Sequence, residues 1–440
     1  MKMAPLASVL AAVTIVGGGA ATPVLAKVIG TNVPAPSLTR EHIAQLPRAQ
    51  RAAWLTYLQR SEAQERADRA ALAAELRPGE TPPPPPKAVG GGADKAPLDR
   101  DPAWYRTAEA RRIADTVVSF QTPAGGWSKN QDRGGPPRLR GQRFANDAET
   151  MELNPANFDA PRDRFWTFVG SFDNNATTHE MRYLAQMAAA LPGKEGDAYR
   201  ASFVKGVRYI LAAQYPNGGW PQNYPLEGGF HDGITFNDNV VAVVVMLLQD
   251  VAEDPQYRFV PADLRSRAAT AVRHGTDIIL KAQVRKDGRR LGWPQQVDAL
   301  TLAPISARNY EPRSIASGET TDILMFLMRQ PNPSPEIRQA VDGAIAWLRE
   351  SAVYNVEFTR TPQGRKLLPK DGAGPLWSRN YDLVTNKPIF GDKDQTIHDD
   401  VNFISEGRRN GYSWWVDAPK KALAAYPEWQ RRVAGQGGKK

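Results

Sequence analysis

The sequence predicts an all-α fold, with helical hairpins packed side by side in an incomplete ring and long loops carrying the chemistry. Three observations carry that reading. A unit of helix, glutamine and Gly-Trp turn occurs three times, ending at Trp127, Trp220 and Trp293, with the glutamines at Gln121, Gln214 and Gln283. The tryptophans stand 93 and then 73 residues apart, too far for a tight solenoid repeat and suited to a helix pair with an elaborated loop. Apolar residues between these turns recur at helical spacing, and Gly/Pro/Asn-rich loops of a length that usually carries function separate the helices.

Residues 1–26 read as a secretory signal: Lys2 near the start, an apolar run over 6–16, and small residues leading to Val24-Leu25-Ala26. The expectation is an exported protein, secreted or periplasmic, with no membrane partner once the signal is cleaved. Residues 27–80 form a helical N-terminal extension, since Ile43, Leu46, Ala53, Leu55 and Leu58 fall at helical spacing; one or two exposed helices are expected. A proline run at 82–86 and glycines at 90–92 make 81–96 a linker. The main domain, 97–435, is predicted helical over 104–121, 178–191, 199–214, 238–252, 264–283, 317–328 and 335–351. The run from Val240 to Leu248 is wholly apolar, so its helix is expected to be buried on most sides. β-branched residues there also suit a buried strand, but its length and helical surroundings favour helix. The intervening loops are 125–172, 215–235, 286–317 and 364–408.

The chain has no cysteine, so disulfides contribute nothing and stability rests on core burial, with or without a metal. Its formal charge of +9 suggests an anionic partner: nucleic acid, acidic polysaccharide or anionic surface. Basic and acidic residues are interspersed, without the Lys/Arg block of a nucleic-acid-binding tail. A monomer is expected.

Several loop residues have chemistry to offer. Each Gly-Trp indole either covers the apolar face of a sugar ring or plugs the end of its hairpin; Trp220 is carried forward as a substrate contact. Asp173 and Asn174 precede a helix, as does Asp238. Such residues either cap the helix or offer hard oxygen ligands suited to calcium. Neither segment has EF-hand spacing, so a calcium site would join distant segments. Arg308, Arg313, Arg379 and Lys393 lie in the other loops; arginine grips carboxylates bidentately, although most surface arginines only form ion pairs. No Ser/His/Asp elbow, phosphate loop, cysteine metal spacing or dinucleotide fingerprint occurs, and the histidines are scattered.

The combination Gly-Gly-Trp-Ser-Lys129-Asn, Phe-Asp173-Asn174-Asn-Ala-Thr-Thr, Tyr-Pro-Asn-Gly-Gly-Trp220-Pro-Gln, Ile-Thr-Phe-Asn-Asp238, Gly-Trp293-Pro-Gln-Gln, Ala-Arg308-Asn-Tyr-Glu-Pro-Arg313-Ser and Trp-Ser-Arg379-Asn-Tyr-Asp closely resembles the pectate lyases of polysaccharide lyase family 10. The resemblance spans about 97–418 in unbroken order. It implies an (α/α) toroid and calcium-assisted β-elimination on polygalacturonate, with arginine as proton abstractor. By position, Asp173, Asn174 and Asp238 are implied to surround Ca2+ and the substrate carboxylate, and Arg308 to be the base. Arg379 and Lys393 are implied to bind the substrate carboxylate; Arg313, Lys129 and Trp220 are further expected substrate contacts, with Arg313 the alternative to Arg308 as base. The chain departs from the family at Lys393, where arginine is usual, and at Ser-Gly-Glu-Thr after Arg313. A non-catalytic pectin-binding protein and a two-carboxylate glycoside hydrolase are the alternatives.

Overall fold

The computed structural model describes residues 28–89, 95–147, 157–159, 163 and 165–437. The predicted signal at 1–26 and part of the predicted linker lie outside the described residues. Eleven α-helices are present among them: α1 (Arg40–Ile43), α2 (Arg48–Ala74), α3 (Ala108–Ser119), α4 (Thr178–Ala190), α5 (Asp197–Ala213), α6 (Val240–Glu253), α7 (Ala262–Ala282), α8 (Ser317–Arg329), α9 (Pro335–Glu350), α10 (Glu406–Asn410) and α11 (Pro419–Gly437). The helices predicted in the main domain fall within a few residues of α3 to α9. Their starts are chemically marked: Thr107 accepts from the Ala110 N–H, and Ser334 accepts from Ile337 N–H ahead of Pro335.

The helices lie in two rows. Helices α3, α5, α7 and α9 pack in sequence along one row, and α4, α6, α8 and α11 along the other. The apolar run in α6 sits in the second row with Val240, Val241, Val244, Val245, Leu247, Leu248 and Val251 all buried, so a wholly hydrophobic helix is what that place requires.

The all-α expectation is overturned. About 47% of the structure is helical and about 12% is strand, so the fold is mixed. The long loops fold back over the helix ends, and their backbone groups must find partners there. They do so by pairing as short antiparallel strands: Ile234–Thr235 with Gln296–Val297, Ile315–Ala316 with Asn380–Tyr381, and Trp377–Ser378 with Trp415–Val416. A longer hairpin joins Val356–Thr361 to Gly364–Pro369, and Val28–Thr31 pairs with Thr396–His398.

The repeated glutamines and tryptophans have one job in all three copies. The indole Nε1 of Trp127 donates to Val117 O (2.7 Å), that of Trp220 to Ile210 O (2.9 Å) and that of Trp293 to Ile279 O (2.6 Å). Each acceptor belongs to the last turn of the preceding helix. The glutamine Nε2 then bridges the turn to the next helix of the same row: Gln121 to Gly125 O and Ser202 O, Gln214 to Gly218 O and Ala271 O, Gln283 to Leu291 O and Ala340 O, all within 3.0 Å. The glycine before each Trp is required by crowding, since a Cβ at Gly126, Gly219 or Gly292 would lie within 2.5 Å of Tyr209, Ile234 or Thr320. Trp220 has no accessible surface, so the expectation that it contacts substrate is corrected: a ring with both faces in the core cannot stack on a sugar.

The extension is not a set of free helices either. Trp54, Tyr57 and Leu58 of α2 are buried in the main core. The Tyr57 hydroxyl donates to Ala213 O (2.8 Å), and its ring meets Tyr215 at 4.8 Å.

Trp220→Ala is expected to lower unfolding stability by about 3–5 kcal/mol, the usual effect of removing a buried aromatic. Denaturant titration measures this; a loss below about 1 kcal/mol would show that the indole does not hold the hairpin end.

Candidate active site

Two loops with nearly the same sequence meet at the ends of α4 and α6. Phe172-Asp173-Asn174-Asn175 and Phe236-Asn237-Asp238-Asn239 each form a single 3-10 turn, and the two turns pack against each other. Both hold successive residues in the left-handed region: Asn174 (φ 51°) and Asn175 (φ 60°), Asp238 (φ 48°) and Asn239 (φ 66°). Asparagine and aspartate tolerate that conformation better than other non-glycine residues. The carboxylates sit one position out of step, so the Asp173 and Asp238 carboxyls come into contact where the turns meet.

Asp173 is not a helix cap. It is buried, and its Oδ2 accepts from Lys129 Nζ at 2.7 Å, while its Oδ1 is buried with no hydrogen-bond donor. Thr177 stands at the cap position instead, but its hydroxyl donates to Ser171 O (2.8 Å) and accepts from Trp127 N–H (3.0 Å). Burial opposes the charge on Asp173, yet Lys129 and the Asp238 carboxyl overcome it and hold Asp173 well below the usual carboxylate range. Burial, then the Asp173 charge, push Asp238 well above that range. The two carboxyls are thus pushed apart in acidity where they touch. Asn174 is exposed and donates through Nδ2 to Asn130 Oδ1 (3.0 Å).

Next to this pair stands a cluster of arginines on tyrosine rings. Arg308 forks onto Glu311, Nε to Oε2 at 2.8 Å and Nη2 to Oε1 at 2.6 Å. Glu311 is buried and also accepts from the Tyr412 hydroxyl (2.7 Å). Arg379 donates to Asn237 Oδ1 (2.6 Å) and Glu319 Oε1 (3.0 Å), lies 3.9 Å from Asp238, and stacks on Tyr412 at 4.6 Å. Arg408 stacks on Tyr310 at 3.8 Å, and Tyr310 meets Tyr412 edge-on at 5.4 Å. Burial works against charge on both Arg308 and Arg379, but neighbouring carboxylates, with the Tyr412 ring beside Arg379, win and hold both guanidiniums above their ordinary value. Glu311 is likewise opposed by burial, but Arg308 brings it down to about 2.

Of the residues predicted for the site, Lys129, Asp173, Asp238, Arg308 and Arg379 converge here, with Asn174 at the edge. Arg313 and Lys393 are exposed and take no part in these contacts. Sequence reasoning missed Glu311, Glu319, Arg408 and Tyr412 as parts of the site, and Gln295, whose Nε2 donates to the Tyr412 hydroxyl (3.1 Å) and to Asn237 Oδ1 (3.3 Å). Glu311 had a signal, three residues after Arg308, whereas Tyr412 lies 101 residues beyond Glu311 and had none.

The sequence profile of pectic acid lyases matches residues 121–423, a span that contains every converging residue above. The chain belongs to that family, polysaccharide lyase family 10. Two solved structures of a family 10 polysaccharide lyase from Cellvibrio cellulosa are similar to it. One is 30% identical, with a TM-score of 0.63, covering 78% of this chain and 99% of the other. The second, an aspartate-to-alanine mutant in complex with trigalacturonic acid, is 31% identical with a TM-score of 0.62, covering 76% and 97%. No curated protein matches the chain significantly.

The sequence resemblance implies a bound cation, and the two touching carboxyls are the candidates to hold it. A buried carboxylate oxygen without a donor, beside a second carboxyl in contact, is what a hard cation would relieve. Among the described residues no group of three or more His, Cys, Asp or Glu side chains is arranged to hold a metal. Asp173 and Asp238 would therefore supply two carboxylates, and water or ligand the remaining oxygens.

The Arg308–Glu311 fork generates a pH prediction. A carboxyl held near 2 when folded and near its ordinary range when unfolded stabilises the fold fully above about pH 4.5, and less as pH falls toward 2. Glu311→Gln is expected to remove on the order of 2–3 kcal/mol at neutral pH and flatten that acid limb. Thermal melts from pH 3 to 7 check this; parallel pH dependences for variant and wild type would refute it.

Proposed function

We propose that this lyase cleaves α-1,4-linked polygalacturonate by β-elimination with calcium, and that Arg308 takes the C5 proton. The carrying observation is the convergence of Lys129, Asp173, Asp238, Arg308 and Arg379 in one cluster of alternating charge. The complex of a similar lyase with trigalacturonic acid supports the substrate class. We further propose that the protein is exported and acts as a monomer.

The C5 proton of a galacturonate is acidified only weakly by its carboxylate, which is already negative. Removing it puts further charge on that group, so the site must supply positive charge where it accumulates. Asp173 and Asp238 would hold the cation, and calcium, when bound, would neutralise the substrate carboxylate and acidify the C5 proton. Lys129 and Arg379 border those two aspartates and would bind that carboxylate. The buried Arg379 Nε–H has no acceptor, which leaves one guanidinium donor uncommitted while Nη2 stays on Asn237 and Glu319. Glu311 orients the Arg308 fork and keeps the resting guanidinium protonated. Proton abstraction therefore requires that fork to yield as substrate binds, which makes Arg308 a reluctant base and favours alkaline conditions.

Arg308→Ala is expected to reduce turnover by about three decades or more, with the fold and most substrate binding retained. The measurement is ultraviolet absorbance of the unsaturated uronide product. Near-wild-type turnover in a folded variant would remove Arg308 from the chemistry. Reducing ends released without that absorbance would indicate hydrolysis, and neither signal would indicate a binding protein.

Chelating divalent ions is expected to stop elimination while leaving circular dichroism unchanged, and calcium to restore it. Asp173→Ala and Asp238→Ala should raise the calcium concentration needed for half-maximal rate. Full activity of the chelated enzyme would exclude the cation from the reaction.

A further inference from the structure

Residues 28–38 run along the face that carries Arg308, outside the 121–423 span that matches the family. Val28–Thr31 pairs with Thr396–His398, and the Asn32 N–H donates to Gln395 O (2.7 Å), closing onto the turn that holds Lys393. The Asn32 side chain is buried, and its Nδ2 donates to two consecutive carbonyls, Arg308 O and Asn309 O, each at 3.0 Å. Its Oδ1 accepts from Val33 N–H (3.1 Å), and the Ser306 hydroxyl donates to Val33 O. Farther along, Ser37 Oγ accepts from Gly229 N–H (2.7 Å), and Leu38 N–H donates to Asp232 (2.9 Å).

We propose that Asn32 is a positioning residue for the elimination reaction, fixing the backbone of the Arg308 loop through its two carbonyls. This rests on the reading of Arg308 given above. The physical need is plain. Arg308 sits in a loop without regular secondary structure, and its guanidinium is fixed at one end by Glu311. An amide donating to both peptide carbonyls fixes the other end, so the side chain is held at its root and its tip. Glu311 N–H also donates to Arg308 O (2.8 Å), so loss of the amide loosens the Arg308–Asn309 backbone without freeing it, and small displacements of a reacting group reduce rate far more than binding. Asparagine suits the position because its Nδ2 has two N–H groups, one for each carbonyl. Aspartate has the same shape but would turn acceptor oxygens on acceptor oxygens.

The experiment uses the full chain. Asn32→Ala is expected to lower kcat about tenfold and Asn32→Asp more, with KM for polygalacturonate within about twofold and a lower melting temperature in both. Asn32→Ser, which keeps one donor, should fall between wild type and Asn32→Ala. Ser37→Ala, a peg of the same segment remote from the Arg308 loop, should leave kcat unaltered. Unchanged kcat in folded Asn32→Ala overturns the proposal, as does an equal loss in Ser37→Ala, which would mean general anchoring. If Asn32→Asp does not fold, the Ala and Ser variants decide by the same criteria. A wild type that yields no unsaturated uronide defeats the lyase reading and this inference with it; a lyase wild type with unaffected Asn32 variants defeats this inference alone.

Discussion

Val117, Ile210 and Ile279, in the last turns of α3, α5 and α7, are buried, so their carbonyls need partners within the protein. Unpartnered buried carbonyls are destabilising, and each of these helices meets the problem in the same way. An indole N–H reaches back to the last turn, and a glutamine amide ties the turn to the next helix in the row. The same solution appears a fourth time without the sequence repeat, where Trp377 Nε1 donates to Leu348 O near the end of α9 (2.7 Å). Because the staple runs from helix to helix, it fixes their spacing. It therefore also fixes where α4, α6 and α8 begin, and the charged loops stand at those beginnings.

Once the helix ends are set, the site becomes a problem of buried charge. Arg308, Arg379 and Arg408 crowd around Tyr310 and Tyr412, where like charges would repel strongly in a medium poorer than water. The arrangement is stable because Glu311 and Glu319 are interleaved with Arg308 and Arg379, and because the tyrosine rings offer their faces to the guanidiniums. The two aspartates opposite are left short of positive charge, with Lys129 as the one lysine in contact with Asp173 among the described ion pairs. The Arg308 fork is paired through both nitrogens, whereas Asp173 Oδ1 is buried without a donor. That contrast is what the proposal of a cation and a substrate carboxylate at this point rests on.

The amino-acid sequence was readable wherever a rule acts over a few residues. Helical periodicity located α3 to α9, and the local motifs marked Lys129, Asp173, Asp238, Arg308 and Arg379. It misled where a residue type has two uses. A tryptophan after Gly-Gly suits a sugar platform and a hairpin plug equally, and only the burial of Trp220 separates the two. The all-α expectation failed for a related reason. The strand pairs among the loops are mostly two residues long, too short to leave an alternating pattern. Their partners lie far away in sequence, as Ile315–Ala316 does from Asn380–Tyr381.

By itself the sequence determined the helices, their repeated turns, the family and the charged residues available for chemistry, because these depend on spacing and residue type. Tertiary structure alone decided which charges meet. It brought Tyr412 to Glu311, Arg379 to Asn237 and Asn32 to the Arg308 carbonyl across as many as 276 residues. Such contacts depend on how the helices stack and where the loops fold back, and no local pattern of residues encodes that distance.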